Sequence, residues 1–243
     1  MTQQVVQGIW WIPGKDSFLP DSHMYVIGLP GSDDYSLVDC GLMGMGTYKL
    51  NEIDTLGISQ QSVKRIIMTH SHLDHIGCLP EIREAFPHAE IWMHSEEARY
   101  LERGDESVVY GNRMFESMVK AQHNIAKGRF EIPIQKKLDG NEVLSLGGLE
   151  FQLVHIPGHS AGGIGLFNHD HKLFISGDTI YADYAIGRYD LVSADPSQLR
   201  HSLEIIAGMG IDKLLPCHNR IVTGDAETMI KETVRQWAPM LAG

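Results

Sequence analysis

The order of apolar and polar positions along the chain predicts short strands that alternate with helices. Apolar runs bounded by Pro-Gly or Gly breaks predict strands at residues 5–12, 24–29, 36–39, 65–68, 90–93, 150–156, 164–167, 172–176 and 213–216. Apolar residues at helical spacing predict helices at residues 46–56, 78–86, 195–207 and 226–236. Strands flanked by helices in both halves predict an α/β (α+β) chain with two sheets packed between helical layers.

One segment interrupts this rhythm. Residues 95–129 are polar and helical in pattern, and they are too few to build a core of their own. We therefore expect a helical insertion inside a single domain of residues 1–243, where it forms a lid or a wall of a substrate pocket. Met114, Phe115 and Met118 would offer substrate an adaptable apolar surface. A core stripe or a dimer contact is the alternative.

Charge and cysteine content narrow the functional classes. The chain has 243 residues and a net charge of −11, which disfavours binding to nucleic acids and anionic membranes. Three cysteines do not form a secreted disulfide framework. Residues 1–14 lack the pattern of a signal peptide, and no apolar run approaches the ~20 residues of a membrane span. We expect a cytoplasmic protein with a small-molecule substrate, and a homodimer remains open.

The strongest chemical signal is a cluster of metal-ligand residues after the strand at residues 65–68. His70 and His72 alternate, so both imidazoles can point at one ion. Asp74 and His75 lie further round the turn and can point at a second ion. Imidazole and carboxylate ligands suit zinc, iron or manganese. The alternative is a polar turn with surface histidines, which rarely groups four such residues within six positions.

Three more candidate ligands each follow a predicted strand. His159 lies in the turn after residues 150–156, Asp178 follows residues 172–176, and His218 follows residues 213–216. Strand ends converge at one edge of a sheet, where α/β proteins place their sites. Each residue alone could be structural, but together with the cluster at residues 70–75 they predict one site for two metal ions.

This set of motifs resembles the metallo-β-lactamase superfamily over nearly the whole chain up to its last histidine. The resemblance implies a four-layer αββα sandwich with the metal ions at the edge between the two sheets. It assigns the first ion to His70, His72 and His159, the second to Asp74, His75 and His218, and a bridging position to Asp178. It also implies that Asp39 supports the ligands from behind. The alternative is that Asp39 is an ordinary turn residue.

Within the superfamily, residues 177–181 and 187–190 resemble glyoxalase II-like thioesterases. Two departures argue against glutathione thioesters. Only 25 residues follow His218, too few for the glutathione-binding helical domain, and Cys217 stands where a glycine is usual. We expect Cys217 to face away from the ions, because neighbours on an extended segment point apart.

Tyr181 lies three residues after Asp178. Its position resembles that of a tyrosine in the acyl-homoserine lactonases of the superfamily, which holds the substrate carbonyl. A phenol there could donate a hydrogen bond to a developing oxyanion. The alternative is an aromatic packing residue.

Together these features predict a metal-dependent hydrolase with two divalent ions, zinc ahead of iron or manganese. The ions would share a water, lower its pKa towards ~7 and yield a bridging hydroxide that attacks a thioester, ester or lactone. Asp74 would orient the nucleophile and carry its proton. Asp74 and Tyr181 are the predicted catalytic residues, and Tyr181, Met114 and Met118 are the predicted substrate contacts.

Three alternatives stay open. A persulfide dioxygenase-like member of the superfamily would use one iron held by His70, His159 and Asp178. A metallo-phosphodiesterase is disfavoured by the acidic balance and by the lack of a Lys/Arg cluster. A binding protein or sensor could keep the metal site without turnover.

Overall fold

Two β-sheets stack face to face through a shared apolar layer. The structure, a computed structural model, describes residues 1–15, 19–123, 125–126 and 128–241. Both sheets contribute side chains to the shared layer, among them Tyr25, Ile67, Phe151 and Leu166. The opposite face of each sheet packs against helices. The chain thus forms the four-layer αββα sandwich expected from its sequence.

Within the described residues, the first sheet has seven strands whose spatial order follows the chain. They are β1 (Gln3–Val6), β2 (Ile9–Ile12), β3 (Met24–Ile27), β4 (Tyr35–Val38), β5 (Val63–Ile67), β6 (Glu90–His94) and β7 (Lys136–Leu138). Pairing is antiparallel from β1 to β4 and parallel from β4 to β7. Because β4 and β5 are parallel, the loops that follow them open at the same edge of the sheet.

The second sheet has five strands among the described residues, in the order β12-β11-β10-β9-β8. They are β8 (Val143–Leu146), β9 (Leu149–His155), β10 (Ile164–Asn168), β11 (Leu173–Gly177) and β12 (Lys213–Pro216). Pairing is antiparallel except between β11 and β12. It follows that β9, β11 and β12 run in one direction, so the turns after them lie at one edge.

Helices cover the outer face of each sheet. They are α1 (Gly46–Asp54), α2 (Leu73–Ile76), α3 (Leu79–Ala85), α4 (Ser95–Glu102), α5 (Ser107–Tyr110), α6 (Arg113–His123), α7 (Pro196–Ala207) and α8 (Ala226–Trp237). Helix α7 begins as its sequence predicts: the side chain of Asp195 accepts a hydrogen bond from Gln198 N–H, and Pro196 occupies the first turn. No helix within the described ranges is both long and apolar enough to cross a bilayer.

The prediction of one strand over residues 5–12 is wrong. The structure has a hairpin there, with Val6 opposite Ile9 and with Gly8 at φ +81° in the turn. A glycine can take this left-handed conformation without a steric penalty, so the apolar run folds back on itself. Strands β7 and β8 were not predicted, because both are short and alternate with polar residues.

The segment at residues 95–129 forms α4, α5 and α6 between β6 and β7. Positions 124 and 127 of this segment lie outside the described residues. Leu101, Val108 and Val119 are buried in the same apolar cluster as the core of the first sheet. These helices therefore extend the outer layer of the first sheet.

A buried ion pair lies between α1 and the loop that enters β3. Lys49 Nζ is 3.2 Å from Asp21 Oδ2, and both side chains are inaccessible to solvent. Lys49 Nζ also donates to the Ser22 carbonyl at 2.6 Å, and Asp21 Oδ1 accepts from Leu42 N–H at 2.7 Å. Burial lowers the pKa of Lys49, and the carboxylate of Asp21 opposes that effect. Through these bonds the pair joins α1 to the loop before β3 and to the loop after β4.

We predict that Lys49→Met lowers the free energy of unfolding by about 3–5 kcal/mol, because it leaves the carboxylate of Asp21 buried without the ammonium that balances it. Urea unfolding followed by circular dichroism measures the effect. The matched control is Lys64→Met: Lys64 is exposed and bonds the nearby Gln61 carbonyl, so the expected change is within about 0.5 kcal/mol. Equal stability of the two variants would contradict the prediction.

Candidate metal centre

The loop after β5 carries four of the predicted ligands. His70 and His72 lie in the loop before α2, and His72, with extended backbone, is the residue at the N-cap of that helix. Asp74 and His75 belong to α2 itself. The three imidazoles are buried, and the Asp74 side chain is partly exposed. The short helix turns the chain sharply, so His70 and His72 belong to one group of metal donors and Asp74 and His75 to another.

Three imidazoles form the first donor group. His159, from the turn after β9, lies against His70 and His72, with ring centroids 5.0 and 4.6 Å apart. The His70 and His72 rings are 4.7 Å apart. His72 Nδ1 is 2.8 Å from His159 Nε2. The ring planes are nearly perpendicular to one another, and one nitrogen of each ring lies within 4.8 Å of the others, as three ligands of one tetrahedral ion would.

Two carboxylates and two imidazoles form the second donor group. His218 Nε2, after β12, lies 3.1 Å from Asp74 Oδ2 and 3.4 Å from Asp178 Oδ2. His75 Nε2 lies 3.3 Å from Asp178 Oδ1. Asp178 Oδ2 is also 3.6 Å from His159 Nε2 in the first group. Asp178 is thus the residue between the two groups, which is the bridging place that the sequence predicts for it.

The two groups differ in their electrostatics. Burial lowers the pKa of His70 well below its usual value and that of His72 to about 3, and burial also lowers the pKa of His159. These rings stay neutral at pH 7, so their lone pairs are free to bind a cation. In the second group burial alone would lower the pKa of His218, but Asp178 and Asp74 raise it to about 10.

The same pairing acts on the carboxylates. Burial alone would raise the pKa of Asp74, but His75 and His218 lower it to about 2. Protons on the imidazoles thus balance the carboxylates when no cation is bound. Metal ligands must be deprotonated, so a divalent cation would replace these protons.

Buried polar atoms without hydrogen-bond partners indicate whether metal ions fit the two donor groups. Within the described part of the chain, buried side-chain atoms that have no hydrogen-bond partner include the Nε2 atoms of His70, His75 and His218 and Asp178 Oδ1. Buried polar atoms are normally hydrogen-bonded, and a cluster of exceptions implies a missing partner. Two cations, one at each donor group, would give all four atoms a partner. The donor set of five imidazoles and two carboxylates fits two ions of the zinc, iron or manganese type.

Asp39 supports the centre from behind. It follows β4 and accepts hydrogen bonds from Thr69 N–H at 2.8 Å, from Thr69 Oγ1 at 2.7 Å and from His75 Nδ1 at 2.9 Å. Such partners fix the tautomer and the orientation of a ligating imidazole. The backbone of Asp39 is left-handed, with φ +58°. The contacts are those of a residue that supports ligands and differ from those of a turn aspartate.

Cys217 lies on the same side as Asp39. Its Sγ is 3.1 Å from Asp39 Oδ2 and is buried. It forms a third group with Asp39 and His75, and the atom of His75 on that side, Nδ1, is the one that binds Asp39. Cys217 therefore lies behind His75, away from the Nε2 atom that faces Asp178.

Glu97 is a supporting residue that the sequence did not reveal. It is buried; Ser71 Oγ and Gly162 N–H both donate to its carboxylate, the latter at 2.9 Å. It thereby links the loop at residues 70–75 to the turn that carries His159. On a polar helix such as α4 a glutamate is usually exposed, so its sequence context gave no signal. His159 itself is oriented by Arg188, whose carbonyl accepts from Nδ1 at 2.7 Å.

A pocket of about 430 Å³ opens above the donor groups. Its floor includes His72, Asp74, His159, Asp178 and His218. Its walls are mostly apolar and come from the loop before β3, the loop after β4, α5 to α6 and the loop after β11; they include Leu19, Leu42, Val109, Phe115, Ile186 and Leu191. The polar side chains at its margin include Asn112, Tyr181, Arg188 and Asn219.

The structure does not support Met114 and Met118 as substrate contacts. They are 82% and 43% exposed and lie outside the pocket lining, where Phe115 of the same helix is found instead. Successive residues of a helix point about 100° apart, so only one face of α6 can reach the pocket. Tyr181 does line the pocket, and its ring lies 6.1 Å from that of His218. Burial and Asp178 raise its pKa, so its hydroxyl remains protonated.

The fold and the donor groups together define a protein class, an αββα sandwich with a His/Asp centre at the edge between its sheets. A family model of the metallo-beta-lactamase superfamily matches residues 19–218. The chain belongs to this superfamily.

Three relatives illustrate the sequence similarity within the superfamily. The chain is 33% identical to the probable metallo-hydrolase MJ0888 of Methanocaldococcus jannaschii, over 76% of this chain and 82% of that protein. It is 28% identical to the hydroxyacylglutathione hydrolase GloC of Haemophilus influenzae, over 66% of each. It is 30% identical to the acyl-coenzyme A thioesterase MBLAC2 of Gallus gallus, over 63% of this chain and 55% of that protein.

Among solved structures, the B3 metallo-beta-lactamase BLEG-1 has the same fold, with a TM-score of 0.72 and 21% identity. The superposition covers 97% of this chain and all of that one. At this level of identity the similarity supports the same fold but gives no information on the reaction.

We predict that the protein binds about two divalent ions per chain and that Asp178→Ala binds fewer than one, because the carboxylate between the two groups is gone. Elemental analysis after gel filtration measures the content. The matched control is Asp183→Ala, an exposed aspartate on the same loop that pairs with Arg220. Two ions in both variants would show that Asp178 is not a shared ligand.

Proposed function

We propose that the protein hydrolyses carboxylic thioesters, esters or lactones and that it prefers thioesters with an uncharged, apolar acyl group. The observation that carries this proposal is the position of the two donor groups, joined through Asp178, on the floor of a mostly apolar pocket. Two named relatives act on thioesters, a hydroxyacylglutathione hydrolase and an acyl-coenzyme A thioesterase, and this supports the choice.

The donor set would hold two divalent ions, zinc first among the candidates. Bound there, such ions supply Lewis-acid polarisation of a carbonyl and a hydroxide at neutral pH. The other tasks fall to side chains of this protein. The apolar walls bind the acyl group and exclude water, which strengthens every electrostatic interaction on the pocket floor.

Asp74 is the proposed proton carrier. Its side chain is the more exposed of the two carboxylates on the floor, and Oδ2 lies 3.1 Å from His218 Nε2. The second oxygen of this carboxylate can orient a water molecule towards the substrate carbonyl and receive its proton. Asp178 is buried between the donor groups and has no comparable access to the pocket.

Tyr181 is the proposed hydrogen-bond donor to the substrate. It lines the pocket beside His218, and its raised pKa keeps the proton on its hydroxyl at neutral pH. A donor aimed at the carbonyl oxygen gains strength as negative charge develops on that oxygen. This accounts for a tyrosine at a place where a packing role would need only phenylalanine.

We predict that kcat/KM for straight-chain acyl thioesters with one common thiol rises by up to about fourfold per methylene until the pocket is filled, because each buried methylene contributes about 0.8 kcal/mol. Steady-state kinetics across acyl chains of increasing length measure the slope. Phe115→Ala should flatten it. Met114→Ala is the control, since the neighbouring Met114 lies outside the pocket, and it should keep the wild-type slope.

Two results would overturn this assignment. Cleavage of bis(p-nitrophenyl) phosphate without cleavage of any thioester, ester or lactone would favour a phosphodiesterase. One iron per chain together with oxygen uptake on a persulfide would favour the dioxygenase-like reaction. Both assays use the protein sample whose metal content has been measured.

We predict that Tyr181→Phe lowers kcat by about 100- to 1,000-fold, as expected for the loss of one oxyanion donor, and leaves the metal content unchanged. Steady-state kinetics and elemental analysis on the same sample check this. Tyr184→Phe on the same loop, where Tyr184 is exposed, should behave as wild type. An unchanged kcat for Tyr181→Phe would assign that ring to packing alone.

A further inference from the structure

The start of β3 contacts both loops that carry the second donor group. Ser22 N–H donates to the Asp74 carbonyl at 3.2 Å, and His23 N–H donates to the Cys217 carbonyl at 2.7 Å. The Asp74 loop belongs to the first sheet and the Cys217 loop to the second. Two consecutive residues thus hold ligand loops from both halves of the sandwich at a fixed separation.

The side chain of His23 makes a third contact of this kind. It is buried; its Nδ1 accepts from Gly14 N–H at 2.8 Å, and its Nε2 lies 2.6 Å from the Asn219 carbonyl. A backbone N–H can only donate, so Nδ1 must hold a lone pair. Nε2 then carries the hydrogen and donates it to Asn219. The two backbone partners define one neutral tautomer of the ring.

The Gly14 end of this contact is firmly placed. A Cβ atom at Gly14 would lie 1.8 Å from the Asp21 carbonyl oxygen, so the backbones at Gly14 and Asp21 approach too closely for any side chain at position 14. The ring of Trp11 lies edge-on to that of His23, with centroids 5.1 Å apart. His23 therefore projects from a fixed base towards the loop after β12.

Asn219, at the other end of this contact, directly follows the candidate ligand His218 in the chain. Asn219 has a left-handed backbone, with φ +65°, and it lines the pocket beside His218. Asparagine is one of the few residues besides glycine that adopt this conformation readily, which suits it to the turn after His218. The Oη atom of Tyr25 holds the other end of the same turn by donating to the Pro216 carbonyl at 2.6 Å.

We propose that His23 is a positioning residue for the second donor group: by holding the Asn219 carbonyl through Nε2–H, it sets where His218 lies relative to Asp74 and Asp178. The Asn219 carbonyl belongs to the loop that carries His218, whereas His70, His72 and His159 lie on other loops. The effect of losing the contact should fall on one ion and spare the other. This inference rests on the metal centre and is independent of the proposed substrate.

Substitution of His23 by glutamine or asparagine tests its two hydrogen bonds separately. The Nε2 atom of a glutamine takes the place of the imidazole Nε2, so His23→Gln keeps a donor for Asn219. The Oδ1 atom of an asparagine takes the place of Nδ1, so His23→Asn keeps the acceptor for Gly14 and loses the contact with Asn219. His169→Asn, at an exposed histidine on the opposite part of the second sheet, is the control.

The test is titration of the ion-free proteins with Co²⁺ alone, followed by visible absorption and elemental analysis. For His23→Asn we expect the second ion to bind about tenfold or more weakly, with the first ion unchanged, as is typical when a residue that orients a ligand is lost. For His23→Gln and His169→Asn we expect both affinities and the absorption bands of the wild type. No substrate enters these measurements, so their outcome does not depend on the proposed reaction.

Three results would overturn the proposal. Wild-type affinity for both ions in His23→Asn would show that the contact with Asn219 does not matter. Equal weakening of both ions in His23→Asn and His23→Gln would assign His23 to packing against Trp11. Loss of folding in both ion-free variants, seen by thermal unfolding, would assign it to the stability of the sandwich as a whole.

Discussion

The structure depends on the concentration of ionisable groups at one buried edge. Five imidazoles and two carboxylates lie there in two adjoining groups, with the ligand atoms of each group within 4.8 Å of one another, and most are shielded from water. Burial penalises each charged form, so the edge is tolerable only if the charges balance. Protons on His218 can balance Asp74 and Asp178, but they leave buried ring nitrogens of the first group without partners. Two divalent cations balance the carboxylates and satisfy the nitrogens together, which is why a metal centre explains this edge better than a network of ion pairs.

That balance requires the two sheets to keep a fixed relation. The loop after β5 supplies ligands from the first sheet, and the turns after β9, β11 and β12 supply them from the second. The apolar layer between the sheets sets their spacing but gives it no fine register, because apolar contacts have little direction. Directional bonds at the edge supply that register: Glu97 joins Ser71 to Gly162, Asp39 contacts Cys217, and residues 22–25 join Asp74 to the last ligand loop. The supporting polar residues are thus as much a part of the site as the ligands.

The residues that the structure gathers into the two donor groups could be picked out from the sequence because their signals are local. His70, His72, Asp74 and His75 lie within six positions, and His159, Asp178 and His218 each follow an apolar run that forms a strand. The residues that sequence analysis missed or misplaced depend on contacts between distant segments. Lys49 and Asp21 form a buried pair across the fold, although each has the sequence context of a surface residue. The face of α6 could not be known before its packing was seen, so Phe115 and its exposed neighbours Met114 and Met118 were grouped together.

This division between local and distant signals has a functional counterpart. The ligands lie at strand ends of a sandwich whose geometry is fixed by two sheets, so the chemistry of the floor follows from the fold and its motifs. The walls come from loops and from the helices at residues 95–123, where a single residue such as Leu191 or Val109 changes the shape of the pocket without touching a ligand. Loops tolerate such changes far better than strands do. Membership of the superfamily therefore accounts for the donor groups on the floor, whereas any choice of substrate has to be argued from the walls of this pocket.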